Sequence, residues 1–411
     1  MVKPLNVDVI IVGAGLAGSS LACALAQGDD NLRIALIESQ AAAPLAASLE
    51  DKVASYDPRV SALTLASQQF LEGLGAWSAL SEQRLGAYRQ MHVWDAEGTG
   101  FVDFSAADIQ QPQLGHIVEN RLLVANLMAE LTNLLNVHCL MPAKLAAMHY
   151  EEGVRRVILE DGREVQAPLL IAADGANSFI RRIAGLETRE WDYQHHAMVA
   201  TVKTAKHHQY TAWQRFLSSG PLAFLPLGNT VEKVGTSGHF CSIVWSTSPE
   251  QAEQLMALDD SAFSDALGEA FEYRLGAIQA VSRRFSFPLR QRHAKAYIQP
   301  GLALVGDAAH TIHPLAGQGI NLGFSDVQVL AEEILRARKR AVPLSDDSIL
   351  QRYQRRRKGD NLAMMAAMEG FKGLFAEPRL SVRWLRNAGM RAFNQAAPLK
   401  RAVIRRAMGF N

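Results

Sequence analysis

Cysteine is scarce. The 411 residues hold three, Cys23, Cys139 and Cys241, too few and too scattered for a disulfide framework or a zinc cluster, which suits a reducing compartment. Neither sign of charge is in excess. The formal net charge is +1, and this removes any general expectation of nucleic-acid binding. No uninterrupted apolar run reaches the length of a membrane span. The start "MVKPLNVDVIIVGAG" lacks a basic segment followed by a long apolar core, so no secretory signal is expected. Internal repeats and low-complexity tracts are missing too. These absences predict a cytoplasmic protein without spanning segments, and they leave contact with a lipid surface open. Hydrophobic residues make up 48% of the chain, enough apolar material at this length for about two or three domains.

The N-terminus carries the first specific signal. "VDVIIVGAGLAGSSLACALAQG" reads as a buried strand, a tight turn and a helix from Leu16 to Gln27, closed by Gly28. Gly13, Gly15 and Gly18 fit the spacing GxGxxG. Gly13 permits the turn, Gly15 lets a pyrophosphate approach the backbone, and Gly18 lets helix and strand pack closely. The helix N-terminus offers amides and a positive dipole to the anion. A second strand, "LRIALIE", ends in Glu38, placed to accept hydrogen bonds from an adenosine ribose. The set defines a dinucleotide site and leaves NAD and FAD open.

Two further acidic corners follow. A hairpin turning at Asp161 and Gly162 leads to a strand that ends in Ala173, Asp174 and Gly175. The buried strand "GLALV" ends in Gly306 and Asp307 and continues as "AAHTIHPLAGQGINLGF". Both acids sit where strands give out, the edge at which open α/β sheets bind ligands. A structural role is expected for His310 and His313, and no nearby acid completes a metal site.

As a set, GAGLAG, ADG and GDAAH with its HPLAGQG continuation resemble the flavoprotein aromatic hydroxylases, the single-component FAD monooxygenases. The resemblance covers nearly the whole chain. It implies bound FAD, with Asp307 on the ribityl chain and Gly306 beside it. Asp174 and Gly175 would help to hold FAD and take part in binding NADH or NADPH. The family's arginines near the pyrophosphate match Arg59 in "DPRVSAL" and Arg121 in "ENRLL". Pro314 would rigidify the loop beside the isoalloxazine, Gly317 and Gly319 would bring amides to its edge, and Asn321 would stand in the first turn of the following helix. That helix N-terminus would stabilise the anionic reduced flavin. A second GxGxxG and a C-x-x-C are both absent, which argues against flavin disulfide reductases.

Within that family, "LGHIVEN", "WDYQHHAMVATVKT", "AFLPL", "CSIVWS" and "FPL" look like the bacterial ubiquinone-biosynthesis hydroxylases, with "WDYQHH" and "CSIVWS" most like the 2-polyprenylphenol hydroxylase branch. The likeness implies ring hydroxylation of a prenylated phenol, using NADH or NADPH and O2 through a flavin C4a-hydroperoxide. It names no side-chain nucleophile. Other ubiquinone-biosynthesis proteins are candidate partners. The rival readings are a flavin-dependent reductase of an isoprenoid and a non-catalytic FAD-binding assembly subunit.

The expected fold class is α/β: a Rossmann-like FAD-binding domain with a parallel sheet, an inserted β-rich substrate domain and a C-terminal helical region. Residues 1–185 form the first part of the FAD domain, with some substrate-domain segments, and 186–290 the β-rich domain. Residues 291–345 complete the FAD domain and 346–411 are helical. Phe216, Phe224, Leu225, Pro226, Trp245 and Phe287 are candidate pocket residues. The end, "PLKRAVIRRAMGFN", reads as a basic amphipathic helix that docks on an anionic membrane, on a partner or on its own domain.

Overall fold

In the computed structural model, residues 3–41, 49–229, 238–311, 319–377 and 379–409 are described. The strands Val9–Val12, Ile34–Ile37, Leu169–Ala172 and Leu302–Leu304 are apolar along their whole length, and every residue in them is buried. Continuous apolar strands of this kind need cover on both faces. They form the centre of a six-stranded sheet in the order Ile298–Gln299, Leu302–Leu304, Leu169–Ala172, Val9–Val12, Ile34–Ile37, Val137–Leu140. All pairs but the first are parallel.

Parallel register decides where the three corners meet. Val12 pairs with Ala172 and with Ile37, and Ala172 pairs with Leu304. Gly13, Glu38, Ala173 and Val305 therefore leave the sheet at one edge. The helix Leu16–Gly28 follows the first strand and packs against the helix Gly319–Lys339 and the helix Asn120–Thr132. Gly28, expected to close the helix after Gln27, is its last residue. An added Cβ there would sit 2.4 Å from the end of the Leu335 side chain, so glycine lets the two helices pack closely at this point. Asp29, in extended conformation, turns the chain.

The second large sheet has nine strands. Its spine is Thr188–Thr204, seventeen residues paired with Phe240–Thr247 on one side and Phe285–Ala294 on the other. It also takes the earlier segments Gln90–Asp95 and Phe101–Ser105. One face buries Met198, Phe224, Ile243 and Trp245 against Leu255, Phe263 and Leu267 of the helices Pro249–Ala257 and Asp260–Ala270, and against Phe271 at the end of the second. The other face looks inward. A three-stranded sheet, Val60–Thr64, Gly115–Glu119 and Gly86–Tyr88, completes that side.

The C-terminal region is helical, as expected: Asp347–Ala376, Leu380–Gln395 and Ala397–Ala407. Ile404 of the last helix and Met408 just beyond it are buried in a cluster with Tyr56, Tyr88 and Ile117, so one apolar side of this helix packs on its own chain. Phe410 lies outside the described residues.

Candidate cofactor cleft and apolar cavity

The glycines of the first turn divide by what surrounds them. Gly13 has φ +101°, and a Cβ there would lie 2.4 Å from the Ala173 carbonyl oxygen. At Gly18 a Cβ would meet the Gly13 oxygen at 1.8 Å. Both hold the strand, the turn and the helix at contact. At Gly15 a Cβ would meet nothing within 4 Å. That open space lies at the N-cap of the helix Leu16–Gly28, where no side chain caps the first-turn amides. Unspent amides and a positive dipole beside open space fit a pyrophosphate. Glu38 stands next to them: its Oε2 accepts from the Ala14 amide at 2.9 Å, and its Oε1 accepts from the Gln40 amide at 3.0 Å.

At the second corner, Asp174 accepts hydrogen bonds from the Ser178 hydroxyl and from the Ile180 amide at 3.1 Å. It thus organises the start of the short helix Phe179–Ile183. Gly175, with φ +78°, turns the chain there.

At the third corner, Gly306 has φ +57°, and a Cβ would lie 3.3 Å from the Ala17 Cβ. The turn leaves Asp307 exposed to solvent. Surrounding protein pushes the Asp307 carboxyl above its ordinary range, Asp326 adds to the rise, and His310 opposes it. Beneath the turn, buried Asp326 accepts from the Gly306 amide at 3.2 Å, meets His310 Nε2 at 2.5 Å and accepts from Arg357 at 2.7 Å. Burial pushes Asp326 up, but His310 and Arg357 outweigh it and hold the carboxyl below its usual range. His310 is thus a structural member of a buried polar network, as expected. Nothing in the spacing pointed to Asp326 or Arg357.

Gly319 opens the helix Gly319–Lys339. Asn321 in its first turn accepts from the Thr64 amide at 3.0 Å and the Ser67 hydroxyl at 2.7 Å, and donates to the Ala62 carbonyl at 2.8 Å. Its carboxamide ties the helix start to the strand Val60–Thr64. His313, Pro314 and Gly317 lie outside the described residues.

Arg59 is exposed immediately before that strand. Arg121 pairs with Glu119 at 2.8 Å and donates to the Ser55 carbonyl. Glu119 also holds Arg84 at 3.2 Å, with side-chain exposures of 1% and 0%, and accepts from the Asp57 amide at 2.6 Å. Arg84 stacks over Tyr56, 4.0 Å from the ring centroid. This buried group, which no motif in the sequence announced, fixes the segment that carries Arg59 to the start of the helix Asn120–Thr132 that carries Arg121.

Between the inward sheet face, the small sheet and the last helix lies a cavity of about 240 Å³. Its walls are largely small and aliphatic, including Ala62, Ala197, Ala212, Ala223 and Ile404. Ala62 is the residue whose carbonyl takes the Asn321 hydrogen bond, so the cavity adjoins the start of the helix that follows the GDAAH segment. Of the six expected pocket residues, Leu225 lines it. Phe224 and Trp245 face the opposite way, into the cluster under the two covering helices. Successive side chains of a strand alternate faces, so the neighbours Ala223 and Val244 take the cavity side instead. Phe216 stacks on Phe375 at 3.8 Å, and Phe287 is exposed.

Residues 6–367 match the FAD binding domain family. The 3-demethoxyubiquinol 3-hydroxylase of Escherichia coli (strain K12) is 37% identical, with 98% of each chain covered. The ubiquinone hydroxylase UbiL of Rhodospirillum rubrum is 35% identical over 98% of this chain and 89% of its own. Among solved structures, p-nitrophenol 4-monooxygenase PnpA from Pseudomonas putida superposes with a TM-score of 0.77 at 18% identity over 97% of each chain, which supports the fold. The chain therefore belongs to the FAD binding domain family and, within it, to the FAD-dependent monooxygenases that include the ubiquinone-biosynthesis hydroxylases. Among the described residues no helix is long and apolar enough to cross a membrane.

Proposed function

We propose that this monooxygenase hydroxylates the aromatic ring of a prenylated phenol in ubiquinone biosynthesis, with NADH or NADPH as reductant and O2 as co-substrate. The observation that carries the proposal is the apolar cavity beside the helix start at Asn321, in a chain 37% identical to a demethoxyubiquinol hydroxylase. A 2-polyprenylphenol is the first candidate substrate, on the sequence likeness. The identity to the Escherichia coli relative favours a more substituted ring as the second.

The residues divide the work by position. Gly13 and Gly18 shape the first turn, Gly15 leaves room for the pyrophosphate, and Glu38 takes the adenosine ribose. Asp307, presented by Gly306, takes the ribityl chain. Arg59 and Arg121 add positive charge near the phosphates. Asp174 and Gly175 shape the neighbouring corner, and Pro314, Gly317, Gly319 and Asn321 belong to the segment beside the ring system. Bound FAD supplies the two-electron chemistry and the activation of O2. The cavity walls exclude water, which protects activated oxygen from unproductive loss, and they hold the ring carbon near the reaction centre. In this reading residues 1–185 and 291–345 hold the cofactor, 186–290 supply most of the cavity wall, and 346–411 cover it.

The outward side of the C-terminal helices is read as a lipid-facing surface. Trp384, Leu385 and Leu399 are exposed there, among exposed Arg391, Arg401, Arg405 and Arg406. Val403 both lines the cavity and reaches solvent, so a polyprenyl chain would pass between membrane and cavity at this point. Other ubiquinone-biosynthesis proteins are the alternative occupants. The direct test incubates FAD-loaded protein with a 2-polyprenylphenol or a demethoxyubiquinol, NADH or NADPH and ¹⁸O2. One labelled oxygen in the ring, located by mass spectrometry, is expected. Label found only in water or peroxide with both substrates would overturn the proposal. Reduction of an isoprenoid double bond instead would favour the reductase reading, and flavin that neither nucleotide reduces would favour the assembly subunit.

A further inference from the structure

The cavity wall is apolar with three exceptions: Tyr88, Gln214 and Ser246. Their exposures are 7%, 6% and 2%. Ser246 has a neighbour, His195, whose Nδ1 lies 3.4 Å from its hydroxyl. The other two differ. Among the described residues, neither the Gln214 carboxamide nor the Tyr88 hydroxyl has a hydrogen-bond partner. Both polar groups therefore open onto the cavity, where water or a bound ligand is left to pair with them.

Strand alternation explains why these groups point inward. On Thr211–Leu217, Trp213 packs against the cluster under the covering helices, and Arg215 donates to the Ala270 carbonyl and Glu272. Ala212 and Gln214 therefore take the cavity side. Gln214 sits opposite Ala223 on the next strand, whose small side chain leaves the carboxamide room. Tyr88 ends the strand Gly86–Tyr88, which pairs with Gly115–Glu119, and Gly115 lies against the tyrosine ring: a Cβ there would be 2.9 Å from its hydroxyl oxygen. Burial raises the phenol of Tyr88 to about 12, so it remains a neutral donor at ordinary pH.

We infer that Gln214 and Tyr88 are the specificity groups of the cavity, hydrogen-bonding the oxygen-bearing edge of the substrate ring while the small and aliphatic walls take its hydrocarbon. Gln214 can donate and accept at once, and Tyr88 supplies a second donor. The pair matches a ring with a free hydroxyl, alone or beside a second oxygen substituent, and rejects a bare prenylbenzene. A site built to pair a hydroxyl discriminates far more strongly against the analogue lacking it than an apolar pocket does against a missing methylene.

This inference rests on the hydroxylase reading, and binding separates the two. FAD-loaded protein would be titrated with 2-geranylphenol and with geranylbenzene, following the flavin absorbance. The wild type is expected to prefer the phenol by about 100-fold or more. Gln214→Leu and Tyr88→Phe should each cut that ratio about tenfold, chiefly through the phenol, since a lost hydrogen bond of ordinary strength corresponds to about that factor. Tyr88→Phe removes a single oxygen atom, so it decides the matter if Gln214→Leu fails to load FAD. An unchanged ratio in the variants that load FAD would overturn the assignment while leaving the hydroxylase reading intact. A wild type that binds neither compound would overturn both.

Discussion

Gly13 and Gly15 stand two residues apart and answer opposite questions. At Gly13 the backbone conformation and the Ala173 carbonyl at 2.4 Å forbid a side chain, so Gly13→Ala should destabilise the fold by about 2–3 kcal/mol or more. At Gly15 the space is open. Gly15→Ala should melt within about a degree or two of the wild type as apoprotein, yet lose FAD affinity at least tenfold, measured by flavin fluorescence. A Gly15 variant that binds FAD normally would remove the pyrophosphate from that turn. The spacing gave the three glycines their separate duties, but it carries no record of the backbone atoms that lie opposite Gly13 and Gly18. His116 is a residue-scale feature of another kind. It is buried edge-on to Trp77, with ring centroids 5.1 Å apart, and its Nδ1 has no hydrogen-bond partner among the described residues. Burial lowers its pKa to about 4. The unfolded chain takes up the proton first as pH falls below about 6.5, so this residue favours the native state above that pH. The contribution is lost between about 6.5 and 4, on the order of 3 kcal/mol for the full shift. His293, lowered to about 4 chiefly by burial, adds in the same window. Thermal melts of the wild type should therefore drop between pH 7 and pH 4.5. In His116→Phe the drop should be visibly smaller, and an equal drop would show that the imidazole has no part in it.

Elements were legible where a single periodicity was at work. The strand from Val9, the helix from Leu16, the hairpin at Gly162 and the long helix from Gly319 all emerge within about two residues of their expected places. The inward face of the large sheet was not legible, because both faces of its strands are apolar: one packs on helices, the other lines a cavity. Alternation then gives no preference between Phe224 and Leu225 as a pocket residue. Long-range ion pairs were equally silent. The helix Leu380–Gln395 is fastened to the strand Gln90–Asp95 by Arg386, whose two nitrogens lie 2.8 and 2.6 Å from Asp95 Oδ2, while Asn387 donates to the same oxygen at 2.9 Å. Both charged side chains are 1% exposed. Breaking such a pair strands a buried charge and costs roughly 3–5 kcal/mol. Arg386→Met should therefore unfasten the helix and raise its amide hydrogen exchange. Asp95→Leu combined with Arg386→Met should restore much of the loss, because an apolar pair leaves no charge behind. If the double variant were as unstable as the single one, the hydrogen bonds to Asn387, rather than the charge pair, would be the fastening.

At the scale of the whole molecule, the strand Val60–Thr64 joins the cavity, which Ala62 lines, to the start of the helix Gly319–Lys339, which Asn321 ties to it, and the last helix covers the cavity. That helix has two apolar aspects. Ile404 and Met408 face the interior, while Leu399 and Val403 reach solvent, and Trp384 and Leu385 of the preceding helix are 71% and 66% exposed. Side chains of this size are seldom left so open beside a basic rim unless something covers them. A lipid surface fits both the apolar residues and the arginines, and it would deliver a polyprenyl substrate to the opening at Val403. The full chain, loaded with FAD, should cosediment with vesicles containing anionic phospholipid, less with neutral ones, and progressively less as salt screens the arginines. Trp384→Ser with Leu385→Ser should weaken vesicle binding on the order of 100-fold, since burying each large apolar side chain is worth about 1.5–3 kcal/mol. Turnover of a detergent-dispersed short-chain phenol should stay near the wild-type rate, because neither residue lines the cavity. Undiminished cosedimentation of the double variant would move the docking surface elsewhere. Absence of vesicle binding by the wild type would leave a protein partner as the cover for these residues.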